Sequence, residues 1–241
     1  MRIAVLFAAS VLVAGCSGLS AERPGPTALT PISPSRAAGK PPTSSTWTSS
    51  PESAATSTST ASAAASANAP ESGAPVGEAI AWVAAAAPVD GKDFQVALRN
   101  GATTSLGEDY AFTTPSGTSC MTDTKRGSAA LSCLVDLTAP PAQPPDVYGV
   151  WKGGWVDFDG GTVQIGSAHG DPGRFSAGQG APLPAGGSLS FGDFRCRTDT
   201  STLVCVNYAR QTAVRYNDDG VTPYGCTRQT PPAGIGIQFS C

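Results

Sequence analysis

Few side chains in this 241-residue sequence are of types that do chemistry, and they are thinly spread. Its one histidine lies in Ser167-Ala168-His169-Gly170-Asp171, where Ser, His and Asp alternate. A nucleophilic triad uses these types: serine attacks, imidazole carries the proton and a carboxylate orients the imidazole. Residues at i, i+2 and i+4 of one strand, however, stand about 7 Å apart in a row and do not converge in that way. Gly170, Pro172 and Gly173 mark a loop, so His169 reads as a loop histidine. Asp157-Phe158-Asp159-Gly160 begins like a calcium loop, which needs further oxygen ligands and a distant Glu. Gly161-Thr162-Val163 follows instead, and a β-turn is the better account. Trp151 and Trp155, near Tyr148, are the densest aromatic group. They are the candidate ligand-binding residues, for a glycan ring, against a competing role in core packing. No nucleotide fingerprint stands between a strand and a helix, so no cofactor is expected, and no catalytic residue is assigned.

Cysteine is the informative residue. Arg2, the apolar run Ile3 to Val13 and the small residues up to Gly15 have the build of an export signal, too short to span a membrane. Cys16 directly after Ala14-Gly15 resembles the lipobox of bacterial lipoproteins. The resemblance implies a signal peptide over 1–15, an S-diacylglyceryl group on Cys16 and acylation of the freed amine. Stable anchoring takes at least two acyl chains, a condition such a cysteine meets without a transmembrane helix. The expected location is the extracytoplasmic side of the cell membrane, held by lipid, with the cytoplasmic membrane and the outer envelope both open.

From Ser17 to Pro75, all but eleven of 59 residues are Ala, Pro, Ser, Thr or Gly. Such a stretch buries too little surface to offset about 1–2 kcal/mol of ordering entropy per residue. Residues 16–75 therefore read as the lipidated cysteine and a disordered tether, with a composition shared by O-glycosylated stalks. Fifteen basic against 18 acidic residues give a net charge of -3, which argues against nucleic acid as a partner.

Residues 76–241 read as one β-rich domain. Ile80, Val83, Ala84 and Ala87 recur at helical spacing ahead of Pro88. Phe94, Val96 and Leu98 alternate as on a half-buried strand over Asp93 to Arg99. Further expected strands are Cys120 to Thr122 with Ala130 to Asp136 about Lys125-Arg126-Gly127, and Trp155 to Phe158 with Thr162 to Ile165 about Asp159-Gly160-Gly161. Ser188 to Arg197 pairs with Leu203 to Tyr208, Ala213 to Tyr216 precedes Asp218-Asp219-Gly220, and Ile235, Ile237 and Phe239 alternate at the end. The expected fold is mainly β: a disulfide-stapled antiparallel sandwich or partly open barrel with one N-terminal helix, preceded by the disordered tether.

Six cysteines remain after Cys16. In an exported chain an even number reads as disulfides, and six thiols allow 15 pairings. No Cys-x-x-Cys pair occurs, which argues against zinc, so no metal is expected. Facing residues on antiparallel arms lie at about the Cα separation that a disulfide accepts, which favours Cys120–Cys133 and Cys196–Cys205 and leaves Cys226–Cys241.

The runs AFTTPSGTSC, LSCLVDL, SFGDFRCRTD, LVCVNYA and GIQFSC resemble mycobacterial lipoproteins of the LppI type, within a wider set of secreted actinobacterial β domains. The likeness spans about Ile80 to Cys241 and the lipobox. It implies an anchored envelope lipoprotein and brings no catalytic residues. The expected role is a non-catalytic binding or structural module whose partners are the membrane, through the anchor, and an envelope protein or glycan. The alternatives are an envelope hydrolase with an unrecognised site, or a glycan-binding module using Trp151 and Trp155.

Overall fold

The computed structural model describes residues 68–126, 128–169 and 173–241. The signal sequence, Cys16 and the tether up to residue 67 lie outside the described residues, as do Gly127 and Asp171. Among the described residues one α-helix, α1 (Val76–Ala84), is followed by β1 (Ala87–Pro88), β2 (Val96–Arg99), β3 (Ala102–Ser105), β4 (Ala111–Thr113), β5 (Ser119–Asp123) and β6 (Ser128–Leu134). Then come β7 (Trp151–Phe158), β8 (Thr162–Ala168), β9 (Ala181–Pro182), β10 (Gly187–Phe191), β11 (Phe194–Thr198) and β12 (Leu203–Asn207). The chain ends through β13 (Thr212–Asn217), β14 (Gly220–Tyr224), β15 (Thr227–Gln229) and β16 (Ile235–Ser240).

Two open sheets form the sandwich. Six strands run in the order β1-β10-β11-β12-β13-β14, and eight in the order β15-β16-β8-β7-β6-β5-β4-β9, with β2-β3 as a separate hairpin. Neighbours pair antiparallel except for the two-residue contacts β1 with β10 and β4 with β9. Of the two expected architectures, the sandwich is therefore the one that forms. Phe112, Leu131, Val156, Phe158, Val163 and Ile165 of the larger sheet share one buried core with Leu189, Phe194, Leu203, Val214 and Tyr216 of the smaller. The alternate residues Val204, Val206 and Ala213 face the other way and pack with Ala79, Trp82 and Val83 of α1. Covering both faces explains why β12 reads as an unbroken apolar run instead of alternating.

All three expected disulfides are present. Cys120 faces Cys133 across β5 and β6, and Cys196 faces Cys205 across β11 and β12, each with Cα atoms 4.0 Å apart. These four sulfurs are fully buried in the inter-sheet core. Cys226–Cys241, at 4.1 Å, ties the approach to β15 to the end of the chain. On a chain-entropy account each closure contributes about 2.5–3 kcal/mol.

Four expectations need correction. The helix buries Ala79, Trp82 and Val83, while Ala84 and Ala87 are exposed and Ile80 is only half-buried. The indole, the largest side chain of the element, sets its rotation: the Arg197 guanidinium carbon lies 3.9 Å from the Trp82 ring centroid, and Arg197 donates to the Trp82 carbonyl at 2.6 Å. Asp93 to Arg99 is not one strand. Asp90 caps a 3-10 turn over Gly91–Phe94 by accepting from the Lys92 amide, and β2 begins only at Val96. Asn100 and Gly101, both at positive φ, then close the β2-β3 hairpin, with Ala97 buried and Leu98 55% exposed. Ser188 to Arg197 is two strands, because Gly192 at φ 50° turns the chain tightly between Phe191 and Phe194.

The fourth correction concerns where packing starts. Residues 69–75, placed by composition in the tether, belong to the fold. Ala69 is buried against the α1 cluster, its amide donates to Asp199 Oδ2 at 3.0 Å, and the Tyr224 hydroxyl donates to the Pro70 carbonyl at 2.7 Å. Burial is the main cause that pushes the Tyr224 phenol up to about 12.

Tyr216 gives a test of the core. It is fully buried, its hydroxyl has no hydrogen-bond partner among the described residues, and burial, then Asp157, pushes its pKa upward. A buried unpaired hydroxyl costs about 1–3 kcal/mol. Tyr216→Phe is therefore expected to raise the urea midpoint, by roughly 1 kcal/mol in stability. A comparable loss would mean that the hydroxyl is satisfied.

Candidate functional site

Three turns meet at one end of the sandwich. Asp159 to Gly161 joins β7 to β8, Gly192-Asp193 joins β10 to β11, and Tyr208 to Gln211 joins β12 to β13. The Tyr208 amide donates to the Asp193 carbonyl at 2.8 Å, coupling the last two. Thr212 Oγ1 donates to the Gly160 carbonyl at 2.7 Å and ties that pair to the other sheet. Between these turns and the strand entrance at Tyr110 lies an open cleft of about 360 Å³.

One wall is aromatic. The Tyr110 ring is stacked on Phe191 with centroids 5.5 Å apart, and Phe191 on Phe194 at 5.7 Å. Phe194 meets Phe158 of the core edge-on at 5.4 Å. This ladder runs from the interior to the cleft, where Tyr110 is its half-exposed last rung. Buried Asp109 holds the rung in place. Its Oδ1 accepts from Thr122 Oγ1 at 2.9 Å and from the Thr124 amide at 2.7 Å, and Thr122 Oγ1 in turn accepts from the Tyr110 amide at 2.9 Å.

The rim is polar, with Glu108, Asp159 and Asp193 against one guanidinium, Arg210. Deeper in, Asn207 is only 4% exposed, and its Oδ1 accepts from the Arg210 amide at 3.0 Å. A Cβ on Gly160 would come within 2.6 Å of Asn207 Nδ2, so the glycine, at φ 91°, makes room for the amide. An aromatic wall with a few converging polar groups in a cavity of this size is the usual build of a small-ligand site.

The residues singled out from the sequence lie elsewhere. Trp155 is 2% exposed: His169 stacks on it at 3.6 Å, Phe175 meets it edge-on at 5.2 Å, and its Nε1 donates to Asp157 Oδ2 at 2.9 Å. A ring so covered offers no face to a sugar, so Trp155 is corrected to a packing residue. Trp151 is half-buried; its Nε1 donates to the Pro141 carbonyl at 2.8 Å, and its ring lies so close over Gly166 that a Cβ there would come within 2.7 Å. Its indole N–H is thus already used within the chain.

Asp157 raises the His169 pKa, and it also accepts from Ser132 Oγ, with Ser132 fully buried; Asp171 lies outside the described residues. Asp159 folds back on its own turn: Oδ1 accepts from the Gly161 and Thr162 amides at 2.8 and 2.7 Å, and Oδ2 from Thr162 Oγ1 at 3.0 Å. This is the expected β-turn, fixed by the aspartate side chain.

Tyr110, Asn207 and Arg210 were not marked out by the sequence as a site. The readable signals were the Gly192-Asp193 turn and the four-residue span from Asn207 to Arg210, both local turn cues with nothing to say that they meet Tyr110. Comparison of the chain with family models, with curated proteins and with solved structures finds no match.

His169 supplies a test of the cluster around Trp155. Its buried Nε2 has no partner among the described residues. Burial lowers its pKa most, Asp157 works to raise it, and Lys152 and Arg174 lower it further. With the folded value below the unfolded one near 6.5, the unfolded chain binds more protons in that interval. This contribution is complete above pH of about 6.5 and is lost as pH falls toward the folded value. His169 is the only histidine, so subtracting the pH profile of His169→Asn isolates it. The wild type should lose stability relative to the variant on acidification below about pH 6.5; parallel profiles would refute this.

Proposed function

We propose that this protein is a lipid-anchored extracytoplasmic envelope lipoprotein whose β domain serves as a non-catalytic binding or structural module. The observation that carries the reading is the presence of three disulfides in one domain, two of them at the centre of its core. Disulfides form and persist in oxidising compartments outside the cytosol. An export signal ending at Cys16 is the sequence feature that would deliver the chain there, and the remaining six cysteines are all used in pairs.

The binding part of the reading rests on the cleft. The strands behind it are locked by cross-strand sulfur bridges, and its walls come from rigid turns linked to each other by hydrogen bonds. A site on such a frame holds its shape before a ligand arrives, which lowers the ordering cost of binding. The glycan alternative belongs with this cleft better than with the tryptophans, since Trp155 is enclosed.

Anchoring is tested by Cys16→Ala in the native host. The wild type is expected to incorporate a palmitate label and to enter the detergent phase, and the variant to do neither. A variant that keeps its acyl label would overturn the assignment of Cys16.

A further inference from the structure

We propose that the cleft between the Tyr110 ring and the Asn207 amide binds a neutral saccharide, through an edge where two neighbouring hydroxyls meet. The inference rests on the extracytoplasmic reading above for the availability of glycans, and on the following geometry for the chemistry.

The first observation is an unused donor. Asn207 Oδ1 accepts from the backbone amide of Arg210, and a backbone N–H can only donate, so the orientation of the side-chain amide is settled by its partner. Nδ2 therefore lies on the other side, against Gly160. No described residue accepts a hydrogen bond from it; Asn207 as a whole is 4% exposed, and Nδ2 is an atom that water in the cleft reaches. A ligand oxygen that reproduces the hydrogen bond of such a water can take its place. Here the amide belongs to the lining of the cleft, which is where an acceptor has room to approach.

The second observation is the mixture around that donor. Asn207 and Arg210 offer hydrogens, Glu108 and Asp193 offer lone pairs, and Tyr110 offers a partly exposed ring backed by Phe191. Each hydroxyl of a vicinal diol is both donor and acceptor, so the pair satisfies both kinds of group. The C–H face of a sugar ring then covers the tyrosine. An anion would meet three carboxylates, Glu108, Asp159 and Asp193. An organic cation would leave the Asn207 donors unpaired beside a second cation, Arg210. A hydrocarbon would leave every polar group on the rim desolvated.

The test uses the full chain, purified and titrated with maltotriose and chitotriose as neutral sugars, spermidine as an organic cation and inorganic phosphate as an anion. Amide resonances of Gly160, Asn207 and Arg210 report the cleft. Saturable shifts are expected with at least one sugar, with Kd of roughly 1 mM or tighter. Asn207→Asp keeps an acceptor for the Arg210 amide and loses both donors. It should weaken sugar binding by about tenfold or more, with an unchanged urea midpoint confirming the fold. Tyr110→Leu, which removes the ring and keeps an apolar side chain, should do the same. Silence with both sugars at about 10 mM, a response to spermidine or phosphate alone, or full affinity in Asn207→Asp overturns the proposal. Binding is read in solution and anchoring by labelling of Cys16. Sugar binding by an unlipidated chain thus removes only the anchor, and an anchored chain blind to both sugars removes only the site.

Discussion

Cross-strand pairing of cysteines at the middle of the sandwich is the constraint on which the rest depends. Cys120 with Cys133 and Cys196 with Cys205 occupy directly facing positions, so each bridge allows only one register for its pair of strands. A slip by one residue would turn every side chain of a strand to the opposite face. In β12 that would send Val204 and Val206 into the inter-sheet core and bring Leu203 and Cys205 out beneath α1. The same register places Asn207 at the end of β12, opposite Phe194 and next to the turn that carries Asp193. Structure and cleft geometry therefore have one origin. With only 7% aromatic residues in the chain, cystine also supplies buried apolar volume that larger side chains would otherwise have to fill.

Sequence and structure agree where interactions are local and differ where a distant surface decides. Two disulfides were legible because hairpin arms bring nearby cysteines face to face, and Cys226–Cys241 was what remained. The Asp159 turn was legible because its own side chain builds it. Helix α1 was recognisable as a helix, but its buried stripe was not, since spacing favours Ile80 while the Arg197 guanidinium, 115 positions away, selects Trp82. Residues 69–75 have the composition of a linker and are held in the fold by hydrogen bonds with Asp199 and Tyr224 and by the apolar cluster at α1. The cleft was the least legible feature. Its groups come from five separated stretches of chain, each of which alone is an ordinary turn or strand end.

The two ends of the aromatic inventory illustrate how packing divides labour. Around Trp155 the indole packs with the imidazole of His169 and the Phe175 ring and donates to the Asp157 carboxylate, so the ring is covered. Around Tyr110 the rings are equally well stacked on the inner side, but the outer side of the last ring meets a rim of charges instead of a lid. Trp155 is thus structural although it belongs to the densest aromatic group of the sequence, while the more dispersed Tyr110 reaches the cleft.

The clip at Ala69 has a directional consequence. Ala69 is bonded to Asp199, in the turn between β11 and β12, whereas the cleft collects the opposite ends of those two strands, at Phe194 and Asn207. The polypeptide thus enters the domain at one pole and the recess opens at the other, separated by the length of a five-residue strand, about 17 Å. A pull on the chain at Ala69 would therefore load the Ala69 and Pro70 hydrogen bonds, at the pole away from the recess, before it reached the disulfide-locked strands.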